Sequence, residues 1–412
     1  MHIRSLSLRQ FRTYARLEMD FPPAPILLLG ANAQGKTSLL EALTYLALGS
    51  SPLTHIDRQL LHWQAVASGM PFAQVKAVVV KKERTETLEI ILQLSQTTNG
   101  SPPRLFKRIR VNDRTVKRSE LAGHLNVVLF LPEDVTLVGG PPADRRRHLD
   151  NLLAQVYPEY IEAQNRYTQT LSRCNALLRY LRDEGGDPVQ LAPLEEVLAK
   201  TGVTVSLYRR RVLAALSLYA DQFYQKLTGG QAWLQLKYAP NFDPLAPPTL
   251  DYQLDLLPQE SPLPPVDVET LQEIFRATLV KNRRRAIQRG VTGIGPQRDE
   301  VRFLSQEVDL GIFGSRGQQR SAVLALRLAE LQWLQEETGE APVLLLDEVL
   351  AELDRDRRNY LLRLLDGVEQ TILTTTDAEM FPQFFREKVV TFRVAGGIIK
   401  MLLPTKVDLD AD

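Results

Sequence analysis

The stretch Gly30-Ala31-Asn32-Ala33-Gln34-Gly35-Lys36-Thr37 constrains this chain more than any other. It fits the pattern of a glycine, four free positions, then Gly-Lys-Thr. Its flanks fit as well. Ile26-Leu27-Leu28-Leu29 reads as a short buried strand, and residues 37–48 read as a helix with Leu39, Leu43 and Leu46 on one face. A strand, a tight loop and a helix N-terminus in succession aim backbone N–H groups and the positive end of a helix dipole at one point, which suits phosphate. Lys36 would neutralise β- and γ-phosphates, and the Thr37 hydroxyl would hold Mg²⁺. Ser38 completes the expected cradle at the first helical turn.

A second apolar strand, Val343-Leu344-Leu345-Leu346, ends in Asp347-Glu348. Many strands end in acids. Paired with the upstream loop, however, the pattern reads as a Walker B element. Asp347 would hold Mg²⁺ through water, and Glu348 would orient and deprotonate the water that attacks the γ-phosphate. Lys36, Asp347 and Glu348 are therefore the expected catalytic residues. Between the two elements, Gly314-Ser315-Arg316-Gly317-Gln318-Gln319-Arg320 opens another predicted helix, again suited to an anion. Two anion sites in one chain mean either two ligands or one ligand shared by two copies.

The remaining pattern fills 412 residues, enough for two or three domains. Residues 1–21 alternate as two strands, residues 74–81 and 87–94 as two more, and Asn112-Asp113-Arg114 marks a hairpin. This predicts an antiparallel sheet beside the nucleotide loop. Residues 145–227 turn helical, broken at Gly185-Gly186-Asp187-Pro188, as in a helical hairpin. Residues 240–265 are proline-dense and expected to be irregular; residues 266–289 are again helical, and the sheet pattern then returns. The expected architecture is α/β. Residues 1–140 and 290–412 would form a P-loop ATPase head with a mixed sheet and an antiparallel β-subdomain. Residues 141–289 would form an inserted, mainly helical domain. No apolar run reaches the roughly 20 residues needed to span a bilayer, so no membrane association is expected. No leader pattern opens the sequence. The lone Cys174 forms no intrachain disulfide, and a reducing cytoplasm is expected. Cys174 itself reads as a small core residue.

Ser315-Arg316-Gly317-Gln318 shortly before Walker B resembles the signature motif of the ABC ATPase superfamily, and Ala351-Glu352-Leu353-Asp354 resembles its D-loop. The resemblance implies that the signature of one subunit closes on the γ-phosphate held by another, so Ser315, Gly317, Gln318 and Asp354 would complete the ATP site in trans. Six motifs then fall in the order seen in the RecF family of bacterial recombination-mediator ATPases, related to the heads of Rad50 and of chromosome-maintenance proteins. They are Leu8-Arg9-Gln10-Phe11-Arg12-Thr13-Tyr14, the phosphate loop, Phe130-Leu131-Pro132-Glu133-Asp134, Gly295-Pro296-Gln297-Arg298-Asp299, the signature and the Walker B run through Asp354. The resemblance spans nearly the whole chain. It implies a weak, DNA-stimulated ATPase that dimerises on binding ATP and clamps double-stranded or gapped DNA, helping RecA load with RecR and RecO as partners. It also places Arg12 near the nucleotide. The chain departs from the family at Gln297, where histidine is usual, and at Glu348, where a second aspartate is common. No switch histidine appears around Thr374-Thr375-Thr376-Asp377.

Net charge is only +1, so a DNA surface must be a local patch. The densest cluster is Arg104, Lys107, Arg108, Arg110, Arg114, Lys117 and Arg118; others are 145–147, 209–211 and 283–285. With no base-reading motif, binding is expected to be sequence-independent and salt-sensitive. Competing readings are a transporter-type ABC subunit, a Rad50-like head, which needs long coiled-coil arms, and a scaffold that binds ATP with little turnover.

Overall fold

In the computed structural model, residues 1–412 are described except 23, 68–70, 96–103, 244–266, 366 and 403–412. The proline-dense stretch lies largely outside the described residues. The centre is a six-stranded sheet in the order Ile398–Met401, Val390–Ala395, Ile26–Leu29, Thr371–Thr375, Val343–Asp347, Val127–Phe130. The five strands from Val390–Ala395 onward run parallel, and only Ile398–Met401 is antiparallel.

Parallel strands buried on both faces carry unbroken apolar runs. That is why 26–29, 127–130 and 343–346 show no polar alternation. The period of two still sorts their side chains between two cores. Ile26, Leu28, Val127, Leu129, Val343 and Leu345 pack on one side, with the helix Lys36–Leu48 and the antiparallel sheet. Leu27, Val128, Phe130, Leu344 and Leu346 pack on the other, against the helix Arg316–Thr338 and its neighbours.

The antiparallel sheet has the order Tyr14–Asp20, His2–Phe11, Phe72–Val80, Thr85–Leu94, Leu105–Val111, Arg114–Val116. Its alternation is legible in residues such as Val75, Ala77 and Val79, which face the core while Lys76 and Val78 do not. A helical hairpin, Pro158–Asp183 and Ala192–Leu227, stands beside the head, and Val268–Arg289 packs against both helices. Asp187 caps the turn between the hairpin helices by accepting from the Val189 N–H at 2.8 Å. Cys174 sits buried in this helical core, where burial raises its thiol pKa, and it accepts from the Thr292 hydroxyl. The strand Gln235–Ala239 pairs with Glu300–Ser305, so the small third sheet joins residues on both sides of position 290. Among the described residues no helix is long and apolar enough to cross a membrane.

Candidate functional site

The phosphate loop leaves the strand Ile26–Leu29 and enters the helix Lys36–Leu48, whose N-terminal cap is Gly35. Two of its glycines are required by geometry. A Cβ on Gly30 would lie 2.3 Å from the Val394 carbonyl oxygen. Gly35 has φ +111°, and its Cβ would lie 2.7 Å from Thr13 Oγ1. Such approaches and a left-handed φ admit only glycine. The Tyr14 hydroxyl, buried behind the loop, donates to the Gly35 carbonyl at 2.9 Å. On another side the turn between the last two strands clasps Gln34. Gly396 N–H donates to Gln34 Oε1 at 2.7 Å, and Gly397 N–H donates to the Gln34 carbonyl at 3.2 Å.

Two distant parts of the chain meet at the loop's C-terminal end. Thr37 Oγ1 donates to Asp347 Oδ2 at 2.7 Å, and Thr374 Oγ1 donates to Asp347 Oδ1 at 2.6 Å. The Glu348 N–H donates to Thr374 Oγ1 at 3.0 Å. Thr374 therefore ties the two acids together. The parallel register puts it directly beside Asp347. Lys36 is 4% exposed; its ammonium donates to the carbonyls of Gly30 at 2.7 Å and Ala31 at 3.0 Å, and pairs with Glu348 Oε1 at 2.9 Å. Glu348 adopts a left-handed φ of +51°, unusual for a residue with a Cβ. Such conformations cost of order 1–3 kcal/mol and concentrate at functional sites.

This donor set fits a magnesium ion. A hydroxyl and a carboxylate oxygen stand 2.7 Å apart at a helix N-terminus, both hard oxygen donors. Among the described residues no group of three or more His, Cys, Asp or Glu forms a cage.

The signature residues lie elsewhere on the surface. Ser315 caps the helix Arg316–Thr338, accepting from the Gln318 N–H at 3.3 Å while Gln318 Oε1 accepts from the Ser315 N–H at 2.8 Å. This reciprocal capping box holds the first turn ready. Ser315, Arg316, Gly317 and Gln318 are all exposed, and nothing lies within 4 Å of where a Gly317 Cβ would be. Ile312 and Phe313 just ahead are 72% and 75% exposed. Arg320 pairs with Glu352 at 3.0 Å, linking the signature helix to the D-loop. Asp354 accepts from the Arg357 N–H and pairs with the Arg357 guanidinium, both at 2.9 Å.

The buried half of the signature helix is anchored by charge. Arg327 pairs with Asp134 at 2.7 Å and Glu330 at 3.0 Å, and His148 meets Glu330. Burial alone would raise the Glu330 carboxyl, but His148 and Arg327 outweigh it and hold that pKa below its ordinary value. This explains the 130–134 motif: Asp134 turns the chain by accepting from the Leu131 N–H at 2.8 Å and receives Arg327.

Other sequence-singled residues have structural partners. Arg12 forms a two-point contact with buried Glu41, both at 2.7 Å, and donates to the Gln59 carbonyl at 3.1 Å. Its side chain is thus held by Glu41 next to the loop's helix. Gln297 accepts from the Tyr167 hydroxyl and donates to the Ile294 carbonyl at 3.0 Å, a fixed bridge to the helical hairpin. In the basic cluster the strand period separates the charges. Lys107, itself exposed, pairs with Asp57 at 2.8 Å and lies over the Tyr45 ring, whereas Arg110 on the opposite face pairs with Glu89 at 3.1 Å. Arg104, Arg108, Arg114 and Lys117 are exposed. Arg145 is bound to Glu300 at 2.7 Å, and Arg209 is buried between Asp150 and Asp299. The sequence reading did not single out the Tyr14 brace, the Gln34 clasp, the Thr374 bridge or the Arg327 anchor. Tyr14, Gln34 and Thr374 each stand in a stretch that the sequence marks, but nothing local in the sequence signals their partners, and Arg327 stands in no such stretch.

A phosphate loop, a Walker B acid pair and a capped signature helix on one mixed sheet define an ABC-type ATPase head. The family model described as the RecF/RecN/SMC N-terminal domain matches residues 2–400. The DNA replication and repair protein RecF of Herpetosiphon aurantiacus is 39% identical over 407 residues, covering 97% of this chain and 99% of its own length. That of Chloroflexus aggregans is 40% identical over 405 residues, covering 96% and 99%. A solved structure of the recombination mediator protein RecF-ATPrS in the RecFOR pathway superposes with a TM-score of 0.82 at 27% identity, covering 98% of both chains. The chain belongs to the RecF/RecN/SMC N-terminal domain family, among its RecF members.

Proposed function

We propose that this protein is an ATP-dependent DNA-binding switch of recombinational repair and replication restart, working in the cytoplasm. The observation that carries the reading is the convergence of Lys36, Thr37, Asp347, Glu348 and Thr374 within hydrogen-bonding distance, the first two more than 300 residues from the other three in sequence. Relatives named for DNA replication and repair, and solved RecF structures titled with ATP and ATPrS, support it. The division into a head, residues 1–140 and 290–412, and a helical domain, residues 141–289, is part of the same reading.

The loop amides would wrap the phosphates of ATP, and Lys36 would exchange Glu348 for the β- and γ-phosphates. That exchange frees the Glu348 carboxylate to orient a water and take its proton. Thr37 and Asp347 would hold Mg²⁺, which when bound neutralises phosphate charge. Thr374 keeps Asp347 turned toward Thr37. The γ-phosphate would be completed by Ser315, Gly317 and Gln318 of a second copy, with Asp354 alongside, so that ATP drives dimerisation. The closed dimer would hold double-stranded or gapped DNA through exposed cations, of which Arg104, Arg108, Arg114 and Lys117 form no ion pair among the described residues. Hydrolysis would release it. By family resemblance the partners are RecR and RecO, and the task is loading RecA on gapped DNA.

The test is ATP binding and phosphate release with and without duplex DNA. Lys36→Ala should abolish nucleotide binding. Glu348→Gln should bind ATP as the parent does and lose roughly 10²- to 10⁴-fold in turnover, the usual scale of general-base loss. Equal turnover in the parent and Glu348→Gln proteins would remove Glu348 as the base.

A further inference from the structure

A cavity of about 590 Å³ opens between the head and the helical hairpin. Its head wall is the segment that follows the loop's helix, from Gly49 to Asp57, together with Arg118; its other wall comes from the helices Pro142–Ala154 and Pro158–Asp183. No residue of the phosphate loop, and neither Asp347 nor Glu348, lines it. Its volume falls in the range of small-ligand sites.

The lining carries five cations against two carboxylates. Both carboxylates are already engaged: Asp57 with Lys107 at 2.8 Å and Asp150 with Arg209 at 2.7 Å. Two of the cations, Arg118 and Arg146, are partly buried and meet no carboxylate at ion-pair distance among the described residues. Arg118 donates only to the Leu48 carbonyl at 2.8 Å and Ser50 Oγ at 3.1 Å; Arg146 donates only to the Asp299 carbonyl at 2.7 Å. Each guanidinium has five N–H donors, so both retain unused ones. Burial pushes both below the ordinary arginine value, and Arg209 lowers Arg146 further. Arginine does not relieve such a cost by losing its proton; it is relieved by an anion.

We infer that this cleft is a second phosphate-binding site, in which Arg118 from the head and Arg146 from the helical side together grip a phosphate ester of mononucleotide size. The ligand's source is a free nucleotide or one phosphate of a nucleic-acid strand; a cleft of about 590 Å³ takes a small ligand, not a duplex. The inference stands independently of DNA clamping by the dimer. The cleft's wall is also hydrogen-bonded to the helix that follows the phosphate loop. Ser51 in its wall donates to Glu41 at 2.5 Å, and Glu41 holds Arg12.

The experiment uses the full chain carrying Lys36→Ala, which silences the phosphate loop. Inorganic phosphate and 5′-dAMP are titrated by calorimetry. Each should bind at one site per chain. Adding Arg118→Gln and Arg146→Gln should weaken binding at least about tenfold, the scale of losing two charge-assisted hydrogen bonds. Arg118→Lys, which keeps charge but loses the fork, should fall between. A single strand of about ten nucleotides that displaces phosphate identifies a nucleic-acid source; dAMP binding without such competition identifies a free nucleotide. No binding in the Lys36→Ala protein, or equal binding after both Gln changes, overturns the site. If the Gln variants do not fold, hydrogen exchange of the Lys36→Ala protein decides. Phosphate should protect residues 49–57 and 142–154, and protection confined to other segments overturns the inference.

Discussion

The two corners assigned to ATP in the proposed function, the phosphate loop and the signature turn, are built in opposite ways. At the phosphate loop every charged side chain has a partner inside the chain: Lys36 holds Glu348, and Asp347 holds Thr37 and Thr374. At the signature the first helical turn is preformed by the Ser315–Gln318 box, yet Ser315 to Gln318 face solvent beside exposed Ile312 and Phe313. The first corner needs only a ligand to rearrange it. The second is preformed by its capping box and exposed, and nothing in its own chain covers it among the described residues. A corner that is ordered but uncovered fits a surface completed from outside, which is what a shared nucleotide site demands.

The contrast can be broken most severely from beneath. The signature turn stays ordered because the buried half of its helix is fixed by Arg327, Asp134, Glu330 and His148. Arg327→Leu leaves buried Asp134 without its cation and Glu330 with His148 alone, and should cost about 3–5 kcal/mol in a urea titration. ATP affinity at the phosphate loop should change far less. A smaller loss follows from Thr374→Val. It removes a hydroxyl that donates to Asp347 and accepts from Glu348, so about 1–3 kcal/mol should be lost, in stability or in transition-state stabilisation. The informative reading is a fall in turnover with nearly unchanged ATP affinity. Ser315→Ala should cost about 1 kcal/mol through the lost cap. It should leave ATP binding by the isolated chain untouched while weakening association.

The smallest effect is a pH effect. The folded pKa of Glu330 is depressed, so its contribution is fully present above the unfolded glutamate value. It is lost as pH falls through the lower, folded one. Unfolding midpoints measured from neutrality down should drop in that acid window, and in Glu330→Gln protein this part of the drop should vanish.

Much of this was legible in sequence because it obeys local rules. The phosphate loop announces itself by spacing, the parallel strands by unbroken apolar runs at 26–29, 127–130 and 343–346, and the first hairpin helix by three- and four-residue steps through Tyr167, Leu171, Cys174, Leu178 and Leu181. What stayed hidden are contacts between segments far apart. Tyr14 behind Gly35, Gly396 on Gln34 and Arg327 on Asp134 join residues 21, 362 and 193 positions apart. No periodicity encodes such pairs. The basic clusters show the opposite limit. Seven cations within residues 104–118 read alike in sequence, but strand pairing hands Lys107 to Asp57 and Arg110 to Glu89, and burial sets Arg118 apart. Arg145 and Arg209 likewise prove to be bracing residues.

The central claim is that ATP joins the two unlike corners across two copies. The most direct test is sedimentation velocity of Glu348→Gln without nucleotide, with ADP, and with ATP and Mg²⁺, each with and without duplex DNA. The account predicts a monomer that becomes a dimer only with ATP, and a dimer that then co-sediments with DNA. A monomer under every condition would contradict it, leaving the exposed signature corner without the role assigned to it.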